Sequence, residues 1–373
     1  MARAPGRPLR VAVIGGYGNF GGYVARALAS DPQIELVICG RDGAKARRFA
    51  AMLGAANPAT GETVDITSPP EEMLRGIDPD LVINMVGPYN GQGYGVARAA
   101  ISAGAHYCDI ADARDFVCGI TELEVDAKAR GVVVLAGASS VPALTAAYCD
   151  AALGEMAELR CVEYGISGAE QANRGAGTVA AVLSYVGEHF TRLRQGRMQR
   201  ETGWRGLESV TYPELGTRWF SAGNVPDLEI FPQRYRGLTD HRFLAGHEVA
   251  PLHFGLWIAG LLRRWRLLPN LARFAPLLVQ LSRPFNDLSK GRSGFYMVIE
   301  GVDPAGQSVS RRHWIIARSG DGPNIPVIPV ILIARKLARG VQLAPGARPC
   351  LDVITLDEYR NAFAELDVSW IDE

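Results

Sequence analysis

The chain shows no excess of either charge. Its 39 Lys+Arg balance 39 Asp+Glu over 373 residues, the formal net charge is zero, and no run of like charge exceeds a few residues. Nucleic acid demands a basic stripe, so no nucleic-acid partner is expected. Cysteine is sparse: Cys39, Cys108, Cys118, Cys149, Cys161 and Cys350 are scattered, with no C-x-x-C pair and no short spacing to a histidine. Reduced thiols are expected, and neither zinc nor another metal. No long apolar run is present either. The stretch 249–285 is apolar, but its longest clean segment, LHFGLWIAGLL at 252–262, stops at RRWR, short of the roughly 20 residues that a spanning helix needs. At the start, basic residues precede VAVIGG, yet that apolar run is too short for a secretory signal, and the cytoplasm is the expected compartment. Repeats and low-complexity tracts are absent, and 48% hydrophobic with 21% charged residues excludes disorder.

What the chain does have is length for about two domains and much glycine. The 42 glycines are about 11% of the residues, against a usual value of roughly 7%. Residues 9–140 alternate short β-branched runs with helical stretches, the pattern of parallel strands joined by crossover helices. Strands are expected at 10–15, 35–40, 63–67, 81–87, 106–111 and 132–137, and helices at 21–30, 44–54, 93–104 and 122–131. The fold class is therefore α/β, an N-terminal doubly wound parallel sheet of the Rossmann type. After about residue 142 the rhythm changes. A strand at 158–167, a helix at 177–193 and a hairpin turning at Pro304-Ala305-Gly306 give an α+β domain with an antiparallel sheet. Helices follow at 327–340 and 356–366, while 195–250 carries little periodicity. The expected domains are 1–142 with a C-terminal return at 345–373, and 143–344.

Gly16-x-Gly18-x-x-Gly21 lies directly after a strand and opens a helix, the context that gives a glycine motif its meaning. Gly16 would allow the tight turn, Gly18 the approach of a pyrophosphate, and Gly21 the packing of helix on strand. The loop as a whole, with Tyr17, Asn19 and Phe20, would present helix N–H groups to the anion. At the end of the second strand an NAD site usually offers a carboxylate, but here the chain reads CGRDGAKARR, with Arg41 in place and Lys45 behind it. A guanidinium suits a 2′-phosphate, so NADP(H) is preferred; Asp42, shifted by one residue, would still suit the ribose of NAD(H). Asp65 would either accept from the adenine amino group or cap the next turn.

The block NMVGPYNGQGYGVARAAISAGAHYCDIADARDFV, with GGYGNFGG and CGR, resembles the saccharopine dehydrogenase (saccharopine reductase) family, and within it a branch of NADP-binding oxidoreductases. The likeness covers about 9–145 and includes GASSVPALTAAYCD at 137–150. It returns weakly in GAGT at 175–178 and at 340–370. The resemblance implies a Rossmann domain, an α+β substrate and dimerisation domain, a homodimer, and hydride transfer between a nicotinamide and a C–N bond. The basic residues with which saccharopine-forming enzymes hold dicarboxylates have no matching set here, so the chemistry transfers better than the substrate.

Ligands of such sheets sit beyond the strand C-termini. That rule selects Val86, Gly87, Pro88 and Tyr89 after the fourth strand, Asp109 and Asp112 after the fifth, and Ser139 after the sixth. Gly87 and Pro88 would let the cofactor lie close to the backbone. Tyr89 would meet substrate or merely line the domain, whereas Asp109 and Asp112 would tune an imine or hold a cationic amine. His106 starts its strand, away from that edge, and reads as structural. In the second domain Gly177 and Thr178 open a helix whose N–H groups would hold a substrate carboxylate or phosphate, with Arg174 adding charge; an ordinary capped helix start fits the same residues. Two functions follow: an NADP(H)-dependent oxidoreductase acting on an amino-acid-derived or apolar, lipid-linked small molecule, or a non-catalytic NADP(H) sensor or scaffold. Residues 249–283, two apolar segments parted by Arg263, Arg264 and Arg266, suit a membrane-surface helical hairpin, a dimer interface or a lid.

Overall fold

The computed structural model describes residues 6–170 and 175–373. Its chain divides into two compact units, Met1–Thr145 with Pro326–Glu358, and Ala146–Ile325 with Tyr359–Glu373.

In the first unit β1 (Leu9–Ile14) has Val11, Ala12, Val13 and Ile14 wholly buried, as a central parallel strand covered on both faces requires. Strands β2 (Ile34–Gly40), β3 (Thr60–Thr63), β4 (Leu81–Asn84), β5 (His106–Asp109) and β6 (Val133–Ala136) follow, with helices Asn19–Ala29, Gly43–Met52, Gly95–Ala103 and Glu124–Arg130 among the connections. A return strand, Gly346–Pro349, completes a seven-stranded sheet in the order return strand, β6, β5, β4, β1, β2, β3, and every pairing in it is parallel. The order reverses between β1 and β4, and there such sheets bind their ligands. This is the Rossmann arrangement that the sequence implied.

Two expectations shift. The third strand ends at Thr63, which leaves Asp65 in the following turn instead of inside a strand at 63–67. The return segment begins earlier than 345 and ends before 373. Helix Ile328–Ala338 buries eight of its residues, and its Arg335 donates to the Ala27 carbonyl at 3.1 Å, so it belongs to the first unit. The last residues instead supply a C-terminal strand, Val368–Asp372, that pairs with the second sheet.

The second unit is built on β7 (Glu158–Gly168), β8 (His189–Arg194), β9 (Arg197–Thr202), β10 (Glu208–Tyr212), β11 (Gly216–Ala222), β12 (Asp240–His247), β13 (Ser293–Val302) and β14 (Ser308–Ala317). Its main sheet runs β10, β11, β12, β7, β13, β14, C-terminal strand. The antiparallel sheet expected is in fact mixed, because β12 lies parallel to β7. One face carries a core of Tyr212, Phe220, Leu244, Tyr296, Trp314 and Ile316. The helix expected over 177–193 occupies Gly175–Ser184 only. The chain turns at Gly187, whose φ is +73°, and 189–194 becomes one arm of the β8–β9 hairpin. Region 195–250, aperiodic in the sequence, holds four strands and helix Asp227–Arg234.

Candidate functional site

The glycine loop joins β1 to helix Asn19–Ala29. The left-handed residue is Gly15, at φ +78°, and not Gly16 as the motif suggested. Gly16 is needed for space instead, since a Cβ there would stand 2.8 Å from the Val13 carbonyl oxygen. A Cβ on Gly21 would stand 2.2 Å from the Gly15 carbonyl oxygen, so only glycine lets the helix start this close to the loop. Gly18 is the N-cap. With no side-chain cap and no acid in its first turn, the dipole end favours an external anion. Val86, after β4, reaches back to this loop: a Cβ on Gly15 would come within 2.9 Å of its Cγ2. It is held by its own N–H, which donates to Asn84 Oδ1 at 3.1 Å, and by Gln92, which donates to its carbonyl at 3.2 Å.

Tyr17 organises the edge of the loop. Its ring lies against Gly40, where a Cβ would meet it at 2.5 Å, and its hydroxyl accepts the Asp42 N–H at 3.1 Å. The Lys45 ammonium stands 5.1 Å from the ring centroid. Asp42 itself caps helix Gly43–Met52 by accepting the Lys45 N–H at 2.9 Å. That leaves Arg41, exposed at the C-terminal end of β2, as the group free to recognise a phosphate. Asp65 takes the capping alternative: its Oδ1 accepts the Thr67 N–H at 2.9 Å and the Thr67 hydroxyl at 2.8 Å. These bonds hold its carboxyl below the ordinary value, and Arg41 adds to the effect.

The other strand ends form a buried polar network. Asp109 is wholly buried; its Oδ1 accepts the N–H groups of Ala111 at 2.9 Å and Gly137 at 2.8 Å, and its Oδ2 accepts the Tyr107 hydroxyl at 2.9 Å. Burial nevertheless pushes its carboxyl up to about 6. Asp112 is half-buried, and burial raises it too. The Tyr89 hydroxyl donates to the Asn84 carbonyl at 2.8 Å, its ring packs 5.2 Å from Phe116, and burial with the nearby Asp109 charge raises its pKa. Ser139 is buried beyond β6, following Gly137 at φ +73°. His106 Nδ1 accepts the Val133 N–H at 3.0 Å, a sheet-stitching contact. Gly87 and Pro88 lie between Val86 and Tyr89, and a Cβ on Gly87 would make ordinary contact with the Tyr89 ring.

Arg174 lies outside the described residues. Gly177 and Thr178 fall in the first turns of helix Gly175–Ser184. Beside that helix is a cluster that the sequence reading missed. His247, the last residue of β12, is in register with Gly168, the last of β7, and its Nδ1 lies 2.8 Å from Glu170 Oε1. Both side chains are largely buried, and Trp204 packs 5.4 Å from the His247 ring and 5.6 Å from that of His253. Ser221 donates its hydroxyl proton to the Gly206 carbonyl, which assigns the N–H of the neighbouring contact to His253 Nε2. With Glu170 accepting from Nδ1–H, the His247 ring has Nε2 as its acceptor. Among the described residues no group of His, Cys, Asp and Glu is placed to hold a metal.

The dinucleotide fits the first unit on two counts: the loop has a cradle that any Cβ would fill, and its donors suit an anion. Residues 11–135 match the family described as saccharopine dehydrogenase NADP binding domain. No curated protein matches the chain. Among solved structures it is similar to apo saccharopine dehydrogenase (L-Glu forming) from Saccharomyces cerevisiae, at 14% identity and a TM-score of 0.66, covering 97% of this chain and 100% of that one. A meso-dapdh mutant with DAP from Clostridium tetani E88 also matches, at 14% identity and a TM-score of 0.46, covering 96% and 99%. Amine dehydrogenase from Mycobacterium smegmatis matches at 13% identity and a TM-score of 0.45, covering 92% and 95%. Residues 11–135 are thus similar to the NADP-binding domain of the saccharopine dehydrogenase family, and the chain as a whole shares the fold of saccharopine dehydrogenase.

Proposed function

We propose that this protein is an NADP(H)-dependent oxidoreductase that moves a hydride to or from the C–N bond of an amino-acid-derived or apolar, lipid-linked small molecule. The observation that carries the reading is the uncapped, acid-free start of helix Asn19–Ala29 behind a glycine cradle, with Arg41 at the adjoining strand end. The lack of side chains at Gly15, Gly16, Gly18 and Gly21 would let the pyrophosphate lie close to the helix start, and Arg41, with Lys45 on Tyr17 beside it, would take the 2′-phosphate. The bound nicotinamide supplies the hydride; the chain supplies position and proton handling. In the first unit the group suited to that second task is Asp109.

The six free cysteines fit a reducing compartment, the cytoplasm; burial lifts the Cys39 and Cys350 thiols to about 12, which makes them inert. The resemblance makes a homodimer the expected assembly, which sedimentation would read. One observation favours the sensor alternative: in the first unit Tyr89, Tyr107 and Asp109 are already committed to internal hydrogen bonds. NADPH deuterated at the transferred position, incubated with pools of amino-acid and oxo-acid or lipid substrates, separates the two. Deuterium appearing on a substrate carbon is expected, and tight NADPH binding without transfer would sink the enzyme reading.

A further inference from the structure

Helix Ala250–Arg264 and helix Ala275–Ser282 use little of their surface for packing. The first buries only His253 and Gly260, and the second only Ala275. Their inward residues, Leu256 and Ala259 on one, Ala275 and Leu278 on the other, cover the same cluster around Leu183, Val186 and Trp204. Seven of the thirteen exposed large hydrophobic side chains among the described residues fall within 258–288. Ile258 in the first helix and Trp265 at its C-cap lie seven apart, and Leu277 and Leu281 in the second lie four apart, as on one helical face; Leu288 ends the 3-10 turn that follows. Monomeric proteins seldom leave such a patch to water.

The charges on this patch are mostly of one sign. In a chain of zero net charge, residues 250–288 hold five arginines against one carboxylate, Asp287. Arg263 is occupied, donating to the Val186 carbonyl and paired with Glu188. Arg264, Arg266, Arg273 and Arg283 are exposed, and no carboxylate of the described residues holds them. A second copy is a poor occupant, because a two-fold interface would set this cationic patch against itself. An anionic lipid surface takes the leucines and Trp265 below its headgroups and the guanidiniums among its phosphates.

We infer that residues 250–288 form a peripheral docking face for an anionic bilayer. No helix of the described residues is long and apolar enough to cross a membrane, so the face lies on the surface without spanning it. Flotation of the full chain on vesicles tests this, with phosphatidylcholine alone set against equal parts phosphatidylcholine and phosphatidylglycerol. The protein should float with the anionic vesicles only, and added salt should release it. Arg264→Gln with Arg266→Gln should lower the partition coefficient about 30-fold, roughly fivefold for each arginine. Leu277→Gln with Leu281→Gln should abolish flotation while NADPH titration, read on the same sample, stays as in the parent, which separates lost docking from lost folding. Protein left in the dense fraction with both vesicles, or floating equally with both, overturns the proposal. A dimer broken by the leucine variants in a protein that never floats would overturn it in favour of a second copy.

Discussion

Asp42 closes its carboxylate onto the N–H of Lys45 at 2.9 Å, and so the acidic residue beside Arg41 caps a helix. Cofactor choice then rests on the guanidinium. Arg41→Ala should weaken NADPH binding about 10- to 100-fold, as expected for a charge-assisted phosphate contact, and change NADH binding little. Asp42→Ala should cost about 1 kcal/mol of stability through the lost cap and leave the NADPH to NADH ratio alone. Fluorescence titration and denaturant melts read both. A ratio moved by the Asp42 variant would return that residue to the ribose.

Gly21 tests the cradle. Since its Cβ would fall 2.2 Å from a backbone oxygen, Gly21→Ala has to push the helix start away from the loop. Overpacking of this kind costs about 1–3 kcal/mol. We expect a lower melting temperature and NADPH affinity reduced by at least about tenfold, because the anion-binding N–H groups move with the helix. An alanine variant that binds NADPH like the parent would remove the helix start from the site.

Where the chemistry is local, it was legible in the sequence. Strand, glycine loop, helix and the CGR strand end lie within 9–41, and each has a local signature. Which glycine turns left-handed was not legible, because Gly15 and Gly16 are adjacent and only the backbone path separates them. The Glu170–His247 pair was invisible for another reason: its members lie 77 residues apart and meet through the parallel β7–β12 pairing. The same pairing made the second sheet mixed where a hairpin pattern suggested antiparallel. At 356–373 the short amphipathic helix read correctly, but the following Val368–Asp372 has no local signal for the sheet that it joins.

Asp109 sets a pH dependence. Its carboxyl is lifted by burial to about 6, so between about pH 4 and 6 the folded chain keeps a proton that the unfolded chain has released. Stability therefore falls as pH rises through that window, by about 3 kcal/mol at most. Asp109→Asn retains an acceptor for Ala111 and Gly137 and removes the titration. Denaturant melts from acid to neutral pH should show the parent losing this increment relative to the variant; parallel curves would contradict the buried charge.

His253 has the opposite sign. Burial, with His247 adding to it, holds its pKa down to about 4, and the unfolded chain protonates first as pH falls below about 6.5. Stability is lost on acidification between those values, by about 3 kcal/mol in full. His253→Gln, which keeps the donor toward Ser221, should flatten the second unit's acid sensitivity in hydrogen exchange of β11 and β12. Unchanged acid sensitivity would place the responsible group elsewhere.

The most direct test of the cofactor assignment is calorimetric titration of the purified protein with NADPH and with NADH. The geometry of Arg41, Tyr17 and the glycine cradle calls for NADPH to bind at least about tenfold more tightly. Equal affinities, or a preference for NADH, would contradict it.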